Sequence, residues 1–516
     1  MQEQAISGKN KLTKAELVFL IASAFITITF VSTCSPLYPF NPWDDVNVFF
    51  VLGRGIKHGL VPYRDLFDHK GPVIHFIYAL AATISETSFV GVWIIECITA
   101  SVFAVFSWKI VKLFVSPSRL TITLIPVFIG VTYTIRMFNF GGNAEEFCFP
   151  FLTVAFYIGL KAIVQKNGLP DNMDAFICGL ITGALFWMKY TFLGFLIGFC
   201  IYILFITIKR KDYKRLWSLV WRFLAGMVIF SIPVILYFVA TKSLDCLWEA
   251  YFKVNLFMYH ESFSSSSLVR IPVLKNFITP IVFLSIASTK FPSFGVMLLL
   301  AFTSLFFINK AYRKKVILFF GLTFALTSGF VFSKSSAVFY YGYILSYCFS
   351  LGLITLINAW NALIRVSKNN LRIIQILLSF ALSIFYVLSI ILCKNIYLIF
   401  QPKELLTQFQ IAAVVNETPN AKVLVYDSID PGVFTASGIM PSNRFFCFLN
   451  IEQDYPPILE EQDGLIEDGY FDYIITTYFF EGNWDNYEFY KEATGPFIDF
   501  DGKSSLEGYK IYKRCD

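Results

Sequence analysis

The chain of 516 residues is 56% hydrophobic, 18% aromatic and only 15% charged, with a mean hydropathy of +0.62, far more apolar surface than one soluble core of this length requires. Its formal net charge is +6, but Lys and Arg collect in short clusters between apolar runs, as in cytoplasmic loops, which argues against a nucleic-acid partner. Alternating barrel patterning is absent, so a polytopic α-helical membrane protein remains.

In chain order, Lys9, Lys11 and Lys14 precede an apolar run over 17–34 with no small-residue cleavage site after it, which reads as an uncleaved first span. A polar loop over 35–88 follows, and its short apolar stretch 73–84 suits a helix lying in the interface. Further spans are predicted over 89–114, 120–135, 147–163, 175–187, 192–208, 216–240, 291–308, 316–332, 339–360 and 373–398, giving about 11 transmembrane helices at about 20 apolar residues each. Basic clusters such as Lys109/Lys112/Arg119, Lys209/Arg210/Lys211/Lys214/Arg215 and Lys310/Arg313/Lys314/Lys315 then share one face with the N-terminus, the cytoplasmic one. The loop 35–88, the segment 136–146, Lys189, Lys334 and everything after residue 400 fall on the outer face.

From about residue 401 the composition turns acidic and turn-rich. Runs at 421–432, 443–448, 471–479 and 509–514 read as short strands around a polar helical segment at 451–469, a small extracytoplasmic α/β domain over 401–516 behind a membrane domain over 1–400. The ten cysteines show no metal spacing and mostly sit in apolar runs as core residues.

Polar chemistry concentrates between Trp43 and Pro72. Asp44 and Asp45 start a helical pattern, where first-turn acids are favoured by the helix dipole. A carboxylate held at the membrane surface also gains basicity by desolvation, enough to draw a proton from a sugar or lipid hydroxyl. Downstream, Tyr63, Arg64, Asp65, Asp68, His69 and Lys70 are closed by Gly71-Pro72. A lysine beside such a turn either snorkels or binds a lipid phosphate as a compact point charge.

The aspartate pair, the run Gly59-Leu-Val-Pro-Tyr-Arg-Asp65 and then His69-Lys-Gly-Pro72 resemble the first outer loop of the bacterial GT-C membrane glycosyltransferases, the superfamily of protein O-mannosyltransferases and the lipid A aminoarabinose transferase. The resemblance implies that Asp44, the first acid of the loop, is the catalytic base. It also implies that Lys70, in Lys-Gly-Pro where the family has Lys-Pro-Pro, contacts polyprenyl phosphate. Weaker likenesses follow in order: Gly141-Gly-Asn-Ala-Glu-Glu146 as a second outer loop, the Gly-rich span ending in Lys189, and Ser333-Lys334 with Phe339-Tyr-Tyr-Gly-Tyr343 as a late loop facing the donor lipid.

Within that frame Glu145 or Glu146 orients the acceptor, or joins an aspartate of the first loop around a divalent cation, since hard cations take oxygen ligands; no other cofactor is expected. Lys189 and Lys334 compensate the phosphate charge, and His69 is the one histidine placed to assist. The expected function is an inverting glycosyltransferase of the cytoplasmic membrane. It moves a sugar from a polyprenyl-phosphate donor to a glycan, lipid or protein acceptor at the outer face, with membrane lipid as its surroundings. Rival readings are a lipid-linked glycan flippase or transporter, which should place charge pairs within spans and show related halves, an O-antigen polymerase, and a scaffold in envelope assembly.

Overall fold

The computed structural model describes residues 12–117, 119–258, 272–332, 339–366, 371–449, 451, 454–498 and 504–515. Among these, eight helices are long and apolar enough to cross a membrane; a ninth crossing arises if Pro280–Lys290 and Pro292–Phe307, bent by 119°, act as one span. The expected spans 120–135 and 175–187 are the shorter helices Leu120–Thr134 and Asn172–Met188. The chain is a multi-pass membrane protein.

Local chemistry explains how the helices begin and pack. Thr13 and Glu16 form a reciprocal cap on Lys14–Val31, and Glu16 also accepts from Lys112 at 2.7 Å, tying this helix to Val90–Phe114. Lipid offers little hydrophobic drive between helices, so close approach over small residues matters. A Cβ at Gly179 would lie 2.0 Å from the Phe223 carbonyl oxygen, and one at Gly226 would lie 2.2 Å from that of Phe176. Helices Asn172–Met188 and Tyr213–Ala240 therefore meet backbone to backbone.

The outer-loop helix Asp44–Lys57 is buried on all sides from Val46 to Gly55. On one side it meets Pro72–Ile84, across Gly53, where a Cβ would sit 2.5 Å from the Tyr78 carbonyl carbon. That second helix buries Val73, Ile74, His75, Tyr78, Ala81 and Ala82 and leaves Leu80 and Ile84 exposed.

On its other side the loop helix meets the C-terminal domain, a four-stranded sheet in the order β1-β2-β4-β3. Strand β1, Val423–Val425, pairs parallel to β2, Tyr473–Thr477, which pairs antiparallel to β4, Ser504–Arg514; β4 pairs antiparallel to β3, Tyr487–Ile498, with a bulge between Phe489 and Lys491. The expected strand at 443–448 reduces to an isolated bridge between Cys447 and Val425, and β3 was not expected.

Docking relies on one buried and one half-buried arginine donating to carbonyls. Arg54, 3% exposed, donates to the Phe434 oxygen at 2.8 Å and the Gly438 oxygen at 2.7 Å. Arg444 Nε donates to the Tyr63 oxygen at 2.8 Å, while the Arg444 carbonyl accepts from the Phe67 amide at 2.9 Å. Such charge-assisted bonds each contribute about 1.5–3 kcal/mol.

Beside Arg54, Asp430 Oδ1 accepts from the amides of Gly432 (2.9 Å) and Val433 (2.7 Å), which shapes the 427–432 turn as a structural element. Burial pushes the Asp430 carboxyl up to about 6, against those backbone bonds and Arg54. An acid raised in the fold stabilises most when protonated, so this contribution is full below about pH 4 and is lost as pH rises through 6. Asp430→Asn keeps the acceptor oxygen and removes the charge. It is expected to stabilise the fold at pH 7.5 by up to about 3 kcal/mol, read as a higher thermal unfolding midpoint, and by only about 1 kcal/mol at pH 4.5; a lower midpoint at pH 7.5 would contradict this.

Candidate active site

Successive helical residues point about 100° apart, so the paired aspartates at the start of Asp44–Lys57 face different surroundings. Asp45 lines a narrow cleft of about 10 Å³, shared with Lys70, Asn143, Glu145, Lys189 and Tyr340. Tyr340 donates its hydroxyl to Asp45 Oδ2 at 3.1 Å. Asp44 lies outside this lining and is half-buried. Burial and the carboxylates of Glu507, Asp45 and Asp430 push its own carboxyl up. The acid that shares the cleft with Lys70 is thus the second of the pair, where the family resemblance implies the first.

Lys70 is held by its backbone. The chain turns at Tyr63, at φ 71°, and Tyr63 donates its hydroxyl to the Lys70 carbonyl at 2.7 Å. The neighbouring His69 carbonyl accepts from Asn255 Nδ2 at 2.6 Å, and the His69 amide donates to Asp68 Oδ1 at 2.7 Å. Asp68 in turn lies 2.9 Å from His75 Nε2. Burial would raise the Asp68 carboxyl, but His75 and the nearby His69 and Lys70 hold it below the usual carboxylate range.

His69 lies behind the cleft, with Nε2 at 3.0 Å from Lys70 Nζ. Burial and the Lys70 ammonium push its pKa down to about 3, so a neutral imidazole accepts from the lysine. Among the described residues Lys70 makes no direct ion pair; the Asp68 carboxylate acts on it only at longer range. Lys189, at the end of Asn172–Met188, is committed: Nζ lies 2.7 Å from Glu145 Oε1 and 3.5 Å from the centre of the Tyr341 ring.

Gly71 occupies the position of the family's first proline. Its φ of −69° suits any residue; proximity is what demands glycine, since a Cβ there would lie 2.2 Å from the Trp187 carbonyl oxygen and 2.6 Å from that of Met188. Both Gly71→Ala and Gly71→Pro are expected to destabilise by roughly 1–3 kcal/mol, read as a lower thermal midpoint of the purified protein. An unchanged midpoint for the proline variant would contradict the contact.

Glu146 stands behind the cleft, its Oε2 accepting from the Gly142 amide at 2.8 Å. Glu96, which the sequence reading passed over, accepts from the same amide at 2.7 Å and from Ser32 Oγ at 2.7 Å. Together they fix the turn that carries Asn143 and Glu145 to the cleft. The only signal for Glu96 is an acid inside the apolar run 89–114, and intramembrane acids have specific partners. Lys334 lies outside the described residues. Among the described residues no group of three or more His, Cys, Asp or Glu side chains is placed to hold a metal ion; at the cleft, Asp45 and Glu145 are the carboxylates that a hard cation would meet.

No protein-family model matches the chain, and no curated protein matches it. Solved structures do. ArnT from Cupriavidus metallidurans bound to undecaprenyl phosphate is similar with a TM-score of 0.56 and 10% identity, over 90% of this chain and 94% of that one. The apo form of the same protein gives 0.57 and 10%, over 89% and 92%. The likeness extends over about nine-tenths of the chain, and the chain has the fold of ArnT.

Proposed function

We propose that this protein is an inverting GT-C-type glycosyltransferase of the cytoplasmic membrane. It would take a sugar from a polyprenyl-phosphate carrier and pass it to an envelope glycan, lipid or protein at the outer face. The observation that carries the reading is the cleft that the Asp45 carboxylate and the Lys70 ammonium both line, in a fold shared with a solved structure that holds undecaprenyl phosphate. Asp45 accepts the proton of the acceptor hydroxyl. That oxygen bonds to the anomeric carbon as its bond to the phosphate oxygen breaks, and the polyprenyl phosphate leaves against Lys70. Glu145 holds Lys189 beside it as a second positive charge.

Acids and cations gather in outer-loop elements instead of forming a charged path along the spans, which favours transfer over transport. The test is mass spectrometry of envelope glycans and glycolipids from cells with and without the protein. Loss of one sugar residue with build-up of carrier-linked monosaccharide supports the transferase; build-up of a whole undelivered oligosaccharide assigns a flippase or polymerase instead.

A further inference from the structure

The helix Tyr213–Ala240 packs closely along Asn172–Met188 but barely touches Gly194–Arg210, to which it is joined by the short turn at Lys211 and Asp212. The gap between them is a groove of about 450 Å³, walled by Ala175, Cys178, Leu196, Cys200, Leu219 and Phe223. It opens on the lipid-facing side, where its rim residues Ile201 and Leu204 are 41% and 45% exposed.

One end of this groove is strongly cationic. Pro170 and Leu216 close it, and Lys209, Arg210, Lys211, Lys214 and Arg215 crowd the adjoining turn with Asp212 as its single acid. Arg210 donates to the Asn167 carbonyl and Arg215 to Asn172 Oδ1 at 2.8 Å, which hold both guanidinium groups at the groove's end. Lys209, Lys211 and Lys214 are exposed.

An apolar trough at hydrocarbon depth that ends in a cationic rim at the bilayer surface complements an amphiphile with an anionic head, and basic pockets between helices on the cytoplasmic side take such lipids. We propose that this groove binds an anionic phospholipid of the basic-side leaflet, one acyl chain lying between the two helices and its phosphate on Lys209, Lys211 and Lys214. The site is distinct from the Lys70 cleft. The acyl chain would fill the space left where two sequence-adjacent helices fail to pack.

Native mass spectrometry of the purified full-length protein tests this, with phosphatidylglycerol and phosphatidylcholine of identical chains as probes. The wild type is expected to retain phosphatidylglycerol about 10-fold better, since each surface cation adds to anionic-lipid affinity. Combined Lys209→Gln, Lys211→Gln and Lys214→Gln should abolish that preference, and Leu204→Trp should lower retention of both lipids by filling the trough. These positions are exposed, and an unchanged thermal midpoint confirms that the variants fold. Equal retention of the two lipids by the wild type, or a preference surviving the triple substitution, would overturn the proposal. So would displacement of phosphatidylglycerol by undecaprenyl phosphate, which would make the groove a carrier-lipid site.

Discussion

Asp45→Asn is expected to lower sugar transfer by roughly 10²–10⁴-fold, the usual contribution of a positioned general base, while Asp44→Asn stays within a few-fold of wild type. The asymmetry follows from geometry alone. Asp45 shares a cleft with Lys70 and takes a hydrogen bond from Tyr340; Asp44 faces Glu507 and Asp430 of the C-terminal domain. Both substitutions are close to isosteric, so folded yield should not separate them. Complementation of a deletion strain, scored by the envelope sugar that is lost without the protein, reads the difference. Equal loss in both variants would mean that the cleft geometry does not decide which acid works.

Lys70→Met is expected to cost roughly 10²–10³ in transfer, since it removes a preorganised charge from the departing phosphate. Methionine keeps the stem and most of the packing, so the loss should appear without a large fall in thermal midpoint. Lys189→Met should behave differently. It strands Glu145, 2% exposed, as an unpaired buried carboxylate, a loss typically of about 3–5 kcal/mol, so its main effect is on folding. A Lys70→Met variant with full transfer would place the phosphate elsewhere.

Much of the architecture can be read from the chain because hydrocarbon demands unbroken apolar length: runs such as 89–114 and 216–240 stand out against their basic flanks. The loop chemistry is legible too, since Asp45, Lys70, Glu145 and Lys189 all came forward as polar residues on one face. What a linear reading does not supply is which way adjacent side chains turn. Asp44 and Asp45 are neighbours in the chain, and their surroundings differ only once the loop helix is packed against the C-terminal domain, through Arg54 and through Asn47 beside Gly432, and against Tyr340. Gly71 likewise looks like a departure from a motif until the Trp187 carbonyl lies beneath it.

In the C-terminal domain, β3 escaped notice because it is an edge strand. Its exposed Glu488, Lys491 and Glu492 and its bulge are what an edge needs to resist pairing with other chains, and they also obscure the alternation that marks a strand. The run 443–448 shows the converse: Phe445, Phe446 and Cys447 are buried, so it reads as a strand, yet the chain is spent on contacts to the outer loop through Arg444.

The most direct test of the account is the affinity of the purified protein for undecaprenyl phosphate, which requires no knowledge of the sugar or the acceptor. Binding by the wild type, a loss of about 10-fold or more in Lys70→Met, and undiminished or tighter binding in Asp45→Asn, where a like charge is removed, is the predicted pattern. Wild-type affinity in Lys70→Met, or loss of binding in Asp45→Asn, would contradict the assignment of a phosphate-holding lysine and a proton-accepting aspartate to one cleft.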